Sequence, residues 1–137
     1  MQSTRMLSLM VLAALAAPAA GCVVVADDPP PLRDTGTLTI AYTIEGTTDP
    51  FLCSYYGATD AELIVYTRGG ELVAEEYAPC DWFEVSATLL PGRYTADVTL
   101  VDAANGARSI TKPLDALDVF SDAELVVDVG FPAGSML

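Results

Sequence analysis

Histidine is absent from the 137 residues, lysine and tryptophan occur once each, and cysteine occurs three times. Each scarcity removes a class of chemistry. Without an imidazole there is no Ser-His-Asp triad, no ordinary base for a catalytic cysteine, and no histidine-based metal site. Positive charge is nearly as scarce: six Lys and Arg stand against nineteen Asp and Glu, a formal charge of -13. Beyond Arg5 the cations are Arg33, Arg68, Arg93, Arg108 and Lys112. Such a surface repels phosphate backbones and anionic headgroups, which argues against a nucleic-acid partner. Solubility is the ordinary reason for acidity of this kind, and a surface for a cation or a basic partner is the sharper one. No apolar run reaches the roughly 20 residues that a spanning helix needs.

What the N-terminus does contain is an export signal in three parts. Arg5 supplies the charge, Met6 to Ala17 (MLSLMVLAALAA) the apolar segment, and Pro18 breaks it ahead of the small residues Ala19, Ala20 and Gly21. Ala19-Ala20-Gly21-Cys22 resembles the lipobox of bacterial lipoprotein signal peptides, although Ala19 replaces the usual Leu. The resemblance implies cleavage after Gly21 and a diacylglyceryl group on the Cys22 thiol. Ordinary cleavage after Ala19 is the alternative. One acyl chain holds only marginally, at about 0.8 kcal/mol per buried methylene, whereas two or three on one residue anchor durably. Val23 lacks the Asp that resembles an inner-membrane retention signal, so the outer membrane is the expected destination.

Three segments follow from this: residues 1–21 as signal peptide, 22–36 as lipidated cysteine and linker, and 37–137 as one domain. The linker carries Asp27, Asp28 and three consecutive prolines, Pro29 to Pro31. It favours extended polyproline II at ~3.1 Å per residue and reads as a solvated tether.

From Thr37 onward a period of two dominates. Leu38, Ile40, Tyr42 and Ile44 share one face of a first strand, and Tyr94, Ala96, Val98 and Leu100 share one face of the clearest strand. Between them lie a strand at Ala61 to Thr67, another at Glu71 to Tyr77 after Arg68-Gly69-Gly70, and a third at Trp82 to Leu89. Pro91-Gly92 and Asn105-Gly106 supply turns. The pattern continues with Ala107 to Lys112, then Val119-Phe120 and Glu124 to Phe131; one helical turn fits at Pro113 to Asp118. About seven short strands without βαβ alternation predict an all-β fold, a small antiparallel β-sandwich.

Leu90-Pro91-Gly92-Arg93-Tyr94, followed by Asp102 and Asn105-Gly106, resembles a turn-strand-turn segment of fibronectin III-like, transthyretin-like and carboxypeptidase-regulatory-like domains. The likeness covers about residues 87 to 107. It implies an immunoglobulin-like or prealbumin-like sandwich with Tyr94 packed at a corner, and no function. The mature chain also resembles small lipoproteins of myxobacterial type, through the lipobox, the Pro/Asp spacer, Gly36-Thr37-Leu38-Thr39, the cysteine pair and the Pro-Gly-x-Tyr strand. That likeness implies place and fold only.

With Cys22 consumed by lipid, Cys53 and Cys80 remain, and export would oxidise them to a disulfide. The bridge would pin the long connection from Glu45 to Asp60, read as a loop, and contribute roughly 3 kcal/mol in the chain-entropy model. Tyr55, Tyr56 and Trp82 lie near the two cysteines and form either a contact patch or a lid over the core. Asp102-Ala103-Ala104-Asn105-Gly106 superficially matches a calcium loop, but Ala104 stands where an oxygen ligand is needed, so a hairpin turn is expected. Glu75, Glu76, Asp81 and Glu84 read as a solvated acidic face.

The sequence therefore predicts no catalytic residue, metal or cofactor. It predicts a lipid-anchored, non-catalytic envelope protein with a binding or structural role toward a protein or glycan partner. A carbohydrate-binding or adhesion module and a small carboxylate-dependent hydrolase are the alternatives.

Overall fold

The computed structural model describes residues 34–137. The signal peptide, Cys22 and nearly all of the linker lie outside them. Seven strands run in order: β1 (Gly36–Ile44), β2 (Asp60–Thr67), β3 (Leu72–Pro79), β4 (Glu84–Leu89), β5 (Gly92–Val101), β6 (Lys112–Val119) and β7 (Glu124–Phe131). They form a three-stranded sheet, β4-β1-β7, and a four-stranded sheet, β3-β2-β5-β6. The fold is the all-β sandwich that the alternation predicts.

The core lies between the sheets and is built from the expected faces. Leu38, Ile40, Tyr42 and Ile44 of β1 meet Leu63 and Val65 of β2 and Ala96, Val98 and Leu100 of β5 in one buried cluster. Phe131 closes it from β7, where its ring meets that of Tyr42 edge-on at 5.9 Å. Tyr94 takes the corner position: its ring is buried and its hydroxyl donates to the Leu90 carbonyl at 2.7 Å.

Four expectations need correction. First, the sandwich is not wholly antiparallel. β1 pairs with β4 antiparallel but with β7 parallel, from Thr37 opposite Glu124 to Ile44 opposite Phe131. Side-chain alternation is blind to strand direction, since both pairings place successive residues on opposite faces.

Second, the sixth strand is not Ala107 to Lys112. Before Lys112 that stretch makes only isolated bridges at Ala107 and Ser109, and the strand is Lys112–Val119, reaching through Pro113 to Asp118, where a helical turn was expected. The reason is a β-bulge. Tyr94 pairs with Leu117 and Ala96 with Leu114, so β6 carries an extra residue, and Ala116 takes a left-handed φ of 57°. The bulge places the inward residues Leu114 and Leu117 three apart, which imitates helical spacing. Pro113 is tolerated because β6 is an edge strand.

Third, the Glu45-to-Asp60 connection contains a helix, α1 (Pro50–Tyr56). Fourth, the fourth strand begins at Glu84 and not at Trp82. Cys80–Trp82 form a 3-10 turn, and Phe83 has a left-handed φ of 54° that redirects the chain into β4.

The two ends of the sandwich differ. The chain enters at Gly36, beside Leu89 of β4 and the β6–β7 turn: Thr37 N–H donates to the Ala123 carbonyl and Asp122 N–H to that of Thr35, both at 2.9 Å. A Cβ on Gly36 would collide with the Phe120 carbonyl oxygen, so only glycine fits this entry. At the other end of β1, Ile44 leads toward α1. The eight residue steps between correspond to about 26 Å at ~3.3 Å each.

Candidate contact surface

Local sequence explains α1. Asp49 caps the helix, its Oδ1 accepting the Phe51 N–H at 2.9 Å; Pro50 occupies the first turn; Gly57 ends it at a φ of 71°. Seven residues are too few to hold a helix alone. The bond between Cys53 and Cys80, with Cα atoms 6.0 Å apart, ties it to the 3-10 turn before β4. Both cysteines are buried.

Tyr42 braces the same junction from β1. Its hydroxyl donates to the Cys80 carbonyl at 2.9 Å, and its ring meets Phe83 at 5.6 Å between centroids. Burial first, then the charges of Asp81 and Asp60, push this phenol well above the ordinary tyrosine range. The turn, the helix and the end of β1 therefore form one cross-linked unit.

Helical phase sorts the aromatic side chains of that unit. Phe51 and Tyr55 stand four apart on one face, 66% and 67% exposed, with ring centroids 6.1 Å apart. Tyr55 also meets Tyr56 edge-on at 4.9 Å. Tyr56 itself is only half exposed: it packs against the core, and its hydroxyl donates to Glu45. That hydrogen bond, chiefly, pushes the Tyr56 phenol up to about 12.

Trp82 is 65% exposed, because the 3-10 turn and the left-handed Phe83 turn it out while Phe83 goes in. It stacks on neither tyrosine among the described aromatic pairs. Of the three expected residues, Tyr55 and Trp82 are surface groups and Tyr56 belongs partly to the packing. Phe51 was missed. Asp49-Pro50 followed by Gly57 is the helix start-and-stop signal that would have placed it beside Tyr55.

Between the helix and the turn lies a hollow of about 360 Å³, lined by Pro50, Cys53, Ser54, Ala58, Thr59, Cys80 and Asp81. A second, of about 320 Å³, opens where Ala41, Thr43 and Gly130 leave little side chain on the outer face of the three-stranded sheet. Asp102 is occupied as a turn residue: its Oδ1 accepts the N–H groups of Ala104 and Gly106 at 2.9 and 2.8 Å, and its Oδ2 meets Arg108 at 3.0 Å. Those backbone bonds, Gly106 first, hold its carboxyl below the ordinary range. Glu75 and Glu76 lie exposed on β3, away from Asp81 and Glu84 in sequence and strand. Among the described residues, no group of three or more Cys, Asp or Glu is placed to hold a metal ion.

No family model and no curated protein matches the chain. A solved structure, the Bacillus anthracis TIE protein, is similar at 16% identity and a TM-score of 0.42. The likeness covers 72% of this chain and 17% of that one.

Proposed function

We propose that the chain is a lipid-anchored, non-catalytic protein of the bacterial envelope, whose sandwich makes contacts through its disulfide-bonded end. One observation carries this reading: three of the four most exposed aromatic groups, Phe51, Tyr55 and Trp82, lie at the end of β1 opposite to Gly36, where the tether enters, while the fourth, Phe120, lies alone beside Gly36. Monomeric surfaces seldom leave such rings in water without a use, and Trp and Tyr dominate contact energies where they are used. The backbone that presents them is held by a disulfide, a helix cap and the Tyr42 hydrogen bond, so little order would be lost on binding.

Chemistry supports the non-catalytic part. The chain has no histidine, and both thiols of the domain are spent in the bridge. The anchoring part rests on Ala20-Gly21-Cys22 and the apolar segment before it.

The test of the anchor is the mass of the N-terminal peptide of protein extracted from its own membranes. A diacylglyceryl-modified peptide beginning at Cys22, and release of Cys22→Ser into the soluble fraction, are expected. A peptide beginning at Ala20 with a free Cys22 thiol overturns it.

A further inference from the structure

The aromatic end is also rich in negative charge. Glu45, Asp49, Asp60, Asp81 and Glu84 stand on the segments that build it. No Lys or Arg occurs from Glu45 to Thr67 or from Gly69 to Gly92. Two cations lie near this end: Arg108, on the β5–β6 connection, is paired with Asp102, and Lys112, on β6, holds its Nζ 6.0 Å from the Phe131 ring, so the carboxylates outnumber them. Asp81 lines the same hollow as Pro50 and Ser54, which belong to the helix that carries Phe51 and Tyr55. Asp49 caps that helix with one oxygen and has the other to offer.

Exposed ring faces bordered by carboxylates are the chemistry that receives an ammonium or guanidinium group: the ring quadrupole attracts the cation, and the carboxylate pairs with it. A neutral sugar would stack on the same rings but gain nothing from the charge. An anionic membrane would be repelled, and so would a second copy of a chain carrying -13.

We propose that this end docks a cationic polypeptide segment, with Lys or Arg side chains laid against Phe51, Tyr55 and Trp82 and paired with Asp49, Asp81 and Glu84. The inference rests on the contact reading of the preceding section and specifies its partner. Steering by the acidic surface would make the association fast and strongly dependent on ionic strength.

The chain carries its own reporter, since Trp82 is its only tryptophan. Deca-arginine is titrated into the mature chain in non-ionic detergent while Trp82 emission is followed, with a neutral N-acetylglucosamine hexamer as rival probe. Two charge variants of equal net change are compared: Asp81→Asn with Glu84→Gln at the aromatic end, and Glu71→Gln with Asp122→Asn at the entry end. The first should weaken binding by about tenfold and the second by less than about twofold. Phe51→Ala with Tyr55→Ala, which leaves the charge intact, should weaken it by about fivefold or more. Unchanged melting curves show that the variants remain folded.

Equal losses from the two charge variants, or peptide binding that leaves Trp82 emission unaltered, overturn the proposal in favour of a diffuse acidic field. Binding of the hexamer in place of the peptide, lost on Phe51→Ala with Tyr55→Ala, keeps the contact reading and removes the cationic partner. If neither probe perturbs Trp82, the contact reading falls and takes this proposal with it.

Discussion

Replacing Tyr42 by Phe removes one oxygen from the junction between β1 and the disulfide turn. The Phe83 and Phe131 contacts of the ring survive, at 5.6 and 5.9 Å. What is lost is the bond to the Cys80 carbonyl, which still accepts the Phe83 N–H at 3.2 Å. A carbonyl left with one partner out of two puts the cost at about 1 kcal/mol at pH 7. The same oxygen has a second, pH-dependent effect of opposite sign. Its folded pKa lies well above the unfolded value of about 10, because burial disfavours the phenolate. The stability it contributes is fully present below pH 10 and is lost as pH rises, since the unfolded chain then releases a proton that the folded chain keeps. That loss amounts to about 1.4 kcal/mol per pH unit while Tyr42 stays protonated. Tyr42→Phe escapes it. Urea unfolding of both proteins at pH 7, 9, 10 and 11 should therefore show the wild type ahead by about 1 kcal/mol at pH 7, and the gap closing or reversing by pH 11. Tyr56 and Tyr77 are shared by the two proteins and cancel in the difference. A gap constant from pH 7 to 11 refutes the buried, proton-retaining phenol.

Reducing the Cys53–Cys80 bond, or replacing both residues by Ala, should cost about 3 kcal/mol in chemical unfolding; a midpoint that does not move would mean that α1 is held by packing alone. Gly36→Ala should cost about 2 kcal/mol or more in thermal unfolding, because the new methyl meets the backbone carbonyl of Phe120 and not a side chain able to turn aside. Tyr94→Phe should lose about 1 kcal/mol with the Leu90 hydrogen bond, measured the same way. Phe51→Ala, Tyr55→Ala and Trp82→Ala should each leave stability within about 0.5 kcal/mol, as surface changes do; a loss of several kcal/mol would reveal packing in place of a contact surface.

Much of this fold can be read from residue order, because strands with one buried face write their orientation into the sequence. The inward sets of β1 and β5 are examples. The pairing partner is written less plainly. Nothing in Glu124 to Phe131 announces that β7 lies parallel to β1, since that choice is made by the packing of the whole chain. The bulge at Ala116 hides β6 by breaking the alternation that reveals the other strands. At the contact surface, the nearness of Tyr55 and Tyr56 in sequence suggested one patch. A helix separates adjacent residues by about 100°, so Tyr56 turns toward Glu45 and the core while Phe51 joins Tyr55. The disulfide was legible because cysteine pairing depends on compartment and count as much as on fold.

The most direct test of outward presentation uses the sole tryptophan. The full chain, carrying the lipid proposed at Cys22, is reconstituted into neutral vesicles containing bromine-labelled acyl chains, which quench a fluorophore that touches the bilayer. If α1 and its disulfide-bonded turn meet a partner in water, as proposed, Trp82 emission should match that in unlabelled vesicles and be quenched readily by aqueous iodide. Strong quenching by the brominated lipid, with protection from iodide, would place the aromatic end on the membrane and contradict its role as an outward contact surface.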